Sequence, residues 1–298
     1  MRRLNLHGQT FEIRFLESPT EMDAVEEIQR AVWPGSETDV VPSHLLLTIA
    51  HNGGVVLGAY HLESGRMAGF VYGFPCMAET ADGWQFKHCS HQLGVHPDFR
   101  NLGLSFHLKR AQWQWVRHQG LPLITWTYDP LLSRNAHLNI RKLGGVCRTY
   151  LREVYGQMRD GLNAGLPSDR FQVELWVEAP RVLRRLETAP PLALDLAHYL
   201  SAGAQILNPS ARGEGDFPVP MPPPAPAAGD LLLVEIPSDF QALRATDRDL
   251  ALRWRLHTRE IFEDLFARGY LVTDHVYLPE PFPRSFYVLT HGEATLGV

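Results

Sequence analysis

The spacing of hydrophobic and polar positions changes several times along the chain, and each change predicts an element. FEIRFLE (residues 11 to 17) alternates, as a strand with one buried face does. Pro19-Thr20 then opens TEMDAVEEIQRAVW, a helical pattern in which a Thr20 cap and Asp23 approximate a capping box. Three strand-like runs follow: VVLGAYHLE (55 to 63), RMAGFVYGFPCM (66 to 77) and WQFKHCSHQLGVH (84 to 96). Short Gly-bearing or Asp-Gly turns join them, which predicts an antiparallel meander. A helix is expected from about Leu102 to Gln119, ended by Gly120 and Pro122. LITWTYD (123 to 129) reads as a strand, SRNAHLNIRKLGG (133 to 145) as a helix ending on glycine, and VCRTYLREVYG and RFQVELWVE as two more strands.

This order predicts an α+β fold: a mixed, mostly antiparallel sheet flanked by helices, with one parallel crossover around the helix at 102 to 119. NPSARGEGDFPVPMPPPAPAAGD (208 to 230) is too rich in Pro, Gly and Ala for helix or sheet and predicts an extended tether. The expected organisation is therefore a body over 1–207, a Pro-rich linker over 208–230 and a small α/β unit over 231–298. In the last, LLLVEIP, YLVTDHVYL and SFYVLTH read as strands and the stretch from Ser238 to Arg268 as helical. About 68 residues bury too small a core to be comfortably stable alone, so this unit is expected to dock on the body.

Charge narrows the partners. With 28 Lys and Arg against 33 Asp and Glu, the net charge of -5 provides no cationic footprint for nucleic acid or an anionic membrane surface, and neither is expected. The N-terminal MRRLNLHGQTFEIRF lacks the apolar stretch of a secretion signal, and no run approaches the roughly 18 apolar residues of a membrane span. Cys76, Cys89 and Cys147 are widely spaced without a CxxC, which suits reduced thiols in a cytoplasm rather than disulfides or a zinc site. A cytoplasmic protein without a metal is the expectation.

The chemistry concentrates in LGVHPDFRNLGLSFHLKRAQ, residues 93 to 112. Amides of a helix's first turn have no intrahelical acceptor, and the helix dipole adds partial positive charge, so such an end attracts phosphate. Gly103 leaves room for close approach, while Arg100 and Ser105 add a charged and a hydroxyl donor. A pyrophosphate-bearing cofactor could rest its phosphates on the turn formed by Asn101, Leu102, Gly103 and Leu104, its arm running along the strand edge from Leu93 to Val95. The plainer reading is that Gly103 permits tight packing and Arg100 is a solvated charge.

The run LGVHPDFRNLGLS resembles the coenzyme A-binding motif of the GCN5-related N-acetyltransferase superfamily, written R/Q-x-x-G-x-G/A, with Arg100, Gly103 and Ser105 at its marked places. Ser105 stands where the pattern has Gly or Ala. NAHLNIRKLG (135 to 144) is similar to the superfamily's second motif, and the element order from residue 10 to 178 is also its order. GLPSDRF and WRLHTREIF resemble segments of a bacterial branch of that superfamily that carries a C-terminal extension. The resemblance implies acetyl-coenzyme A or another short acyl-coenzyme A as cofactor, a small-molecule amine as acceptor, and a Leu93 amide that meets the thioester carbonyl. It leaves a homodimer open.

Acyl transfer to an amine needs a base for the ammonium, donors for the oxyanion and an acid for the leaving thiolate. Period-two alternation puts Lys87, Cys89, His91, Leu93 and Val95 on one face and His88, Ser90 and Gln92 on the other. His91 lies nine residues before Arg100, where amine-directed members of the superfamily place a histidine, and its imidazole suits the base. A half-buried, satisfied histidine is the alternative. The superfamily's acid is often a Tyr four residues after the Ala of the second motif, but that place holds Ile140, counted from Ala136. Asn135, Asn139, Ser133 and Tyr128 are the polar neighbours, of which the two asparagines could orient a substrate. Trp126, Tyr128, Tyr150 and Tyr155 could line an acceptor pocket or belong to the core, and Arg134 could pair with an acceptor carboxylate or stay solvated. Residues 168 to 170 (SDR) and the Trp254/Arg255/Arg259 face of the tail helix fit either a lid or packing.

Two functions remain open. The first is an N-acyltransferase working by direct attack in a ternary complex, since nothing marks Cys89 as a low-pKa nucleophile. The second is a non-catalytic module that binds coenzyme A or a nucleotide as sensor or partner-binding protein. A scaffold role through PPPAP is a third and weaker reading.

Overall fold

The computed structural model describes residues 2–35, 37–156, 165–188, 194–213, 215, 217–223, 226–279 and 281–292. The chain divides into two compact units: Met1–Trp126, and Thr127–Gln157 with Gly165–Val298. The division falls after Trp126, inside a strand, and not at 207.

In the first unit β1 (Arg2–Leu6) and β2 (Gln9–Phe15) form a hairpin, followed by α1 (Pro19–Val32) and α2 (Ser43–His51). The cap of α1 is Ser18, not Thr20. Its hydroxyl accepts from the Glu21 amide, and the Glu21 carboxylate accepts from the Ser18 amide at 3.1 Å, a full capping box that begins earlier than the sequence pattern suggests. The meander β3 (Val55–His61), β4 (Met67–Thr80) and β5 (Gly83–Val95) is antiparallel as expected. Then come α3 (Leu104–His118) and β6 (Leu123–Tyr128), and β6 runs parallel to β5, as the crossover demanded. The strand order is β1-β2-β3-β4-β5-β6. One face packs Phe11, Val55, Leu57, Val71, Leu104 and Leu108 under α3; the other packs Met22, Val25, Ile28, Phe70 and Tyr72 under α1.

The second unit holds α4 (Ser133–Ala136), β7 (Val146–Leu151), β8 (Arg170–Trp176), α5 (Pro180–Leu186), α6 (Leu196–Ser201), β9 (Gln205–Ile206), β10 (Ala211–Arg212), β11 (Pro218–Val219), β12 (Leu231–Ile236), α7 (Phe240–Thr246), α8 (Arg248–Ala267), β13 (Tyr270–Leu278) and β14 (Arg284–His291). Its strand order is β8-β7-β13-β14-β12-β9. Val272 of β13 pairs with Cys147 of β7, so the C-terminal strands and those at 146–176 share one sheet. That pairing is why the division falls before β7. The helix expected over 133 to 145 keeps α-geometry only to Ala136 and continues as a π-turn from His137 to Lys142.

One other expectation changes here, and one alternative is decided. The Pro-rich segment is not a loose tether in its described parts: β10 pairs with β11, Trp254 Nε1 donates to the Pro218 carbonyl at 2.8 Å, and Tyr270 Oη donates to that of Gly229 at 2.7 Å. Arg255 and Arg259 are packing residues. Arg255, 1% exposed, pairs with Asp129, and Arg259 grips both oxygens of Asp169 at 2.8 and 2.9 Å. Burial pushes the Asp169 carboxyl up, but Arg259, Tyr150 and the Glu153 amide outweigh it and hold it below the usual range. Among the described residues no helix is long and apolar enough to cross a membrane, and the three cysteines are free.

The α1 cap predicts a measurable loss. Ser18→Ala should lower the unfolding free energy by about 1 kcal/mol in a denaturant titration; an unmoved midpoint would show that the box contributes nothing.

Candidate active site

In the first unit β5 carries a bulge where it pairs with β4. Along β4 and β5 the register steps from Gly73 opposite Ser90 to Tyr72 opposite Gln92, so His91 is an extra residue and two residues of β5 face one of β4. The step breaks the simple alternation expected from the sequence. His88 and Ser90 point under α3, where they meet Gln112 and Lys109. After the bulge Leu93 and Val95 also pack with the α3 cluster, while His91 turns to Tyr72 on the α1 face. His91 therefore does not share a face with Leu93 and Val95, as period two would have it.

His91 stacks on Tyr72 with ring centroids 5.3 Å apart, and Nδ1 lies 2.9 Å from the Tyr72 hydroxyl. With Nδ1 donating, Nε2 keeps a free lone pair. Desolvation by burial beside Tyr72 and Phe74 holds the His91 pKa below its ordinary value of 6.5 although the residue as a whole is exposed, so it is neutral at pH 7. Burial raises the Tyr72 phenol, which stays protonated.

β5 and β6 run side by side over a short stretch only. Their described pairing is confined to His88 with Ile124 and Cys89 with Thr125. The His96 amide donates to the Ala68 carbonyl of β4 at 2.9 Å. Backbone groups alternate in direction along a strand, so those of Leu93 and Val95 point away from β4, into the gap on the β6 side. Gly103, the α3 cap residue, has φ 83, and Asn101 has φ 66, a left-handed pair that turns the chain sharply out of Arg100. A Cβ built on Gly103 would meet nothing within 4 Å, and no side chain caps the helix. The amides of Gly103, Leu104 and Ser105 find no acceptor among the described residues, and Arg100 and Asn101 are exposed beside them. The corner is open, aimed outward and rich in donors, which is what a diphosphate requires.

Under the sheet lies a polar chain that sequence reasoning missed. Lys109 Nζ donates to Ser90 Oγ at 2.6 Å, Ser90 Oγ donates to Gln112 Oε1 at 2.8 Å, and Gln112 Nε2 lies 3.2 Å from His88 Nε2. Gly73 makes room for it: a Cβ there would fall 2.4 Å from His88 Nε2 and 2.8 Å from Gln112 Nε2. Burial, then the Lys109 charge, push the His88 pKa down to about 3. The only signal in the sequence was Lys109 and Gln112 standing on the apolar face of an amphipathic helix.

No family model matches the chain, and no curated protein matches it. Solved structures do. An acetyltransferase of the GNAT family from Streptococcus pneumoniae is 18% identical, with 55% of this chain covering 98% of that one at a TM-score of 0.42. The ribosomal-protein-S5-alanine acetyltransferase of Vibrio fischeri is 11% identical over 60% of this chain and 98% of its own, with a TM-score of 0.45. NAA60 of Arabidopsis thaliana, solved in complex with acetyl-CoA, is 15% identical over 56% of this chain and 99% of its own, also at 0.45. Likeness at this level assigns no residue and no chemistry.

The remaining sequence candidates divide between the units. Trp126, in the first, is 8% exposed, and its ring lies under Lys109. In the second unit Tyr128 is 4% exposed and its hydroxyl lies 3.0 Å from that of Tyr287, so it belongs to the core and is no pocket wall. Tyr150 likewise donates to Asp169 at 2.7 Å, whereas Tyr155 is exposed. Arg134 is exposed, Asn135 half-buried and Asn139 buried in the π-turn, where its carbonyl accepts from the Gly145 amide at 3.0 Å. Ser133 accepts from Ser285 Oγ at 2.9 Å inside the unit, and Ile140 is wholly buried.

The His91 surroundings can be tested directly. Its ring should titrate below pH 6.5 in a proton NMR series; a midpoint above that value would contradict the desolvated stack on Tyr72.

Proposed function

We propose that the chain is an N-acyltransferase of the GCN5-related type, moving an acetyl or other short acyl group from acyl-coenzyme A to the amine of a small molecule. The observation that carries this reading is the open start of α3, where the amides around Gly103 find no acceptor among the described residues, in a unit whose β5 pairs with β6 over two described positions only. The residues present fit coenzyme A. The amides of Gly103, Leu104 and Ser105 with the Arg100 guanidinium would hold its diphosphate, Asn101 and Leu102 would shape that turn, and the free edge at Leu93 and Val95 would take its amide-bearing arm. When bound, the coenzyme supplies an acyl thioester.

The chain's own groups would do the following. The Leu93 amide, free in the gap, would donate to a carbonyl oxygen and stabilise negative charge developing there. Neutral His91 would take the proton of the incoming ammonium at Nε2 while Tyr72 holds Nδ1 and the ring plane. Within the same unit Trp126 remains a candidate for lining the acceptor site; Tyr128, its hydroxyl engaged by Tyr287, drops out. A thiolate can depart without a dedicated acid, which is the consequence of Ile140.

Ile140 also favours the second reading, a coenzyme A-binding module without turnover. Calorimetry with acetyl-coenzyme A, followed by thiol release against a panel of amines, separates the two: binding without release on any amine supports the module, and no binding overturns both. For the enzyme, His91→Ala should lower kcat by roughly 100-fold. The wild-type rate should be flat at neutral pH and fall only below the ordinary imidazole range, because the folded His91 pKa is lowered and the neutral form is the active one. Arg100→Glu should weaken coenzyme A by about tenfold or more while sparing kcat at saturation; unchanged affinity would count against the diphosphate assignment.

A further inference from the structure

The described pairing of β5 with β6 ends at one point, and one side chain touches both strands there. Ser90 and Trp126 are the first residues beyond the last described pair, Cys89 with Thr125. From α3, Lys109 reaches each of them: Nζ donates to Ser90 Oγ at 2.6 Å and lies 3.8 Å from the Trp126 ring centroid. Lys109 is buried, and among the described residues no carboxylate pairs with it. The titratable groups that face it are the Cys89 thiol and the His88 imidazole, both on β5. Trp126 faces it from β6.

We propose that Lys109 is a positioning residue for the coenzyme A cleft, a strut held between Ser90 and Trp126 that sets how far the two strands stand apart. The proposal rests on the cofactor reading above. Its physical content is a difference between two protonation states. Either form of the amine can donate to Ser90, but only the ammonium is drawn to the face of the indole. Desolvation pushes the Lys109 pKa down to about 7, so both forms are populated near neutrality. The strut is firm below that pH and slack above it. A cofactor that needs the firm form binds more weakly as pH rises through about 7, and by linkage its binding raises the pKa of Lys109.

The test measures coenzyme A affinity by calorimetry for the full chain and for Lys109→Met, at about pH 6 and about pH 8.5, on either side of the amine's titration. The wild type should bind roughly tenfold tighter at the lower pH, the size of a desolvated cation–π contact. Lys109→Met should lack most of that difference. The coenzyme's own phosphates titrate equally in both measurements and cancel in the comparison. The Lys109 Cε resonance, identified by its absence from the variant, should titrate near about 7 and move to higher pH with coenzyme A. Affinities that agree within about twofold between the two proteins at both pH values, or a resonance that coenzyme A leaves unmoved, would overturn the strut. Should Lys109→Met not fold, Trp126→Leu removes the ring and keeps the amine; a pH difference that survives in it overturns the proposal equally. No binding of coenzyme A to the wild type overturns the cofactor reading, whereas binding indifferent to Lys109 overturns the strut alone.

Discussion

One extra residue in β5 governs the first unit. Where His91 and Gln92 together face Tyr72, the pleat loses its period, and side chains that alternation would separate come to one side. His88 and Ser90 before the bulge, and Leu93 and Val95 after it, all lie under α3. His91 is left over on the α1 face, stacked on Tyr72. Without the bulge, His91 would point where Leu93 points, and the backbone of Leu93 would face β4 instead of the gap.

The bulge has a cost that the surroundings meet with small residues and polar pairing. Gly73 and Gly94 stand opposite crowded atoms: a Cβ on Gly94 would lie 2.8 Å from Phe70 Cε1, and one on Gly73 2.4 Å from His88 Nε2. Between them the sheet accommodates an aromatic stack on one side and the Lys109-Ser90-Gln112-His88 chain on the other. That chain runs in one direction, each donor finding the next acceptor, so four polar groups are buried with few unmet bonds. His88 Nδ1 is the exception. A buried amine that no described carboxylate pairs with is an expensive element, and its place where the described pairing of β5 and β6 ends ties that cost to the strands the proposed function uses.

The second unit is held by different means. Phe171 meets Phe262 at 4.7 Å and Tyr287 at 5.4 Å, an aromatic centre around which β8, α8 and β14 assemble. Three carboxylate–guanidinium pairs among the described residues tie α8 to distant segments: Arg255 with Asp129 across 126 positions, Arg259 with Asp169 across 90, and Glu263 with Arg152 across 111. Such pairs fix register more than they add stability, because desolvating the charges offsets most of their attraction.

How much was legible in the sequence follows from range. Elements set by local patterning were readable: the meander, the helix expected from about Leu102 and found from Leu104 with its Gly120 stop, the parallel return of β6, and the helical character of the tail, though not its break at Asp247. The open turn at Arg100 to Ser105 was readable too, because a Pro turn, a glycine and a helix start are local signals. What lay beyond the sequence depended on contacts between distant residues. The bulge appears only once β5 is laid against β4, since alternation within β5 alone shows no break. Lys109 was no more than a charge on the apolar face of its helix until Ser90 and Trp126 closed around it, and Tyr128 stayed open between pocket and core until Tyr287, 159 positions on, took its hydroxyl. The division of the chain followed the same rule: Pro and Gly mark where regular structure stops, but it was the pairing of Val272 with Cys147 that decided which strands share a sheet. Local propensity writes the elements; which faces they bury is a property of the partners they find.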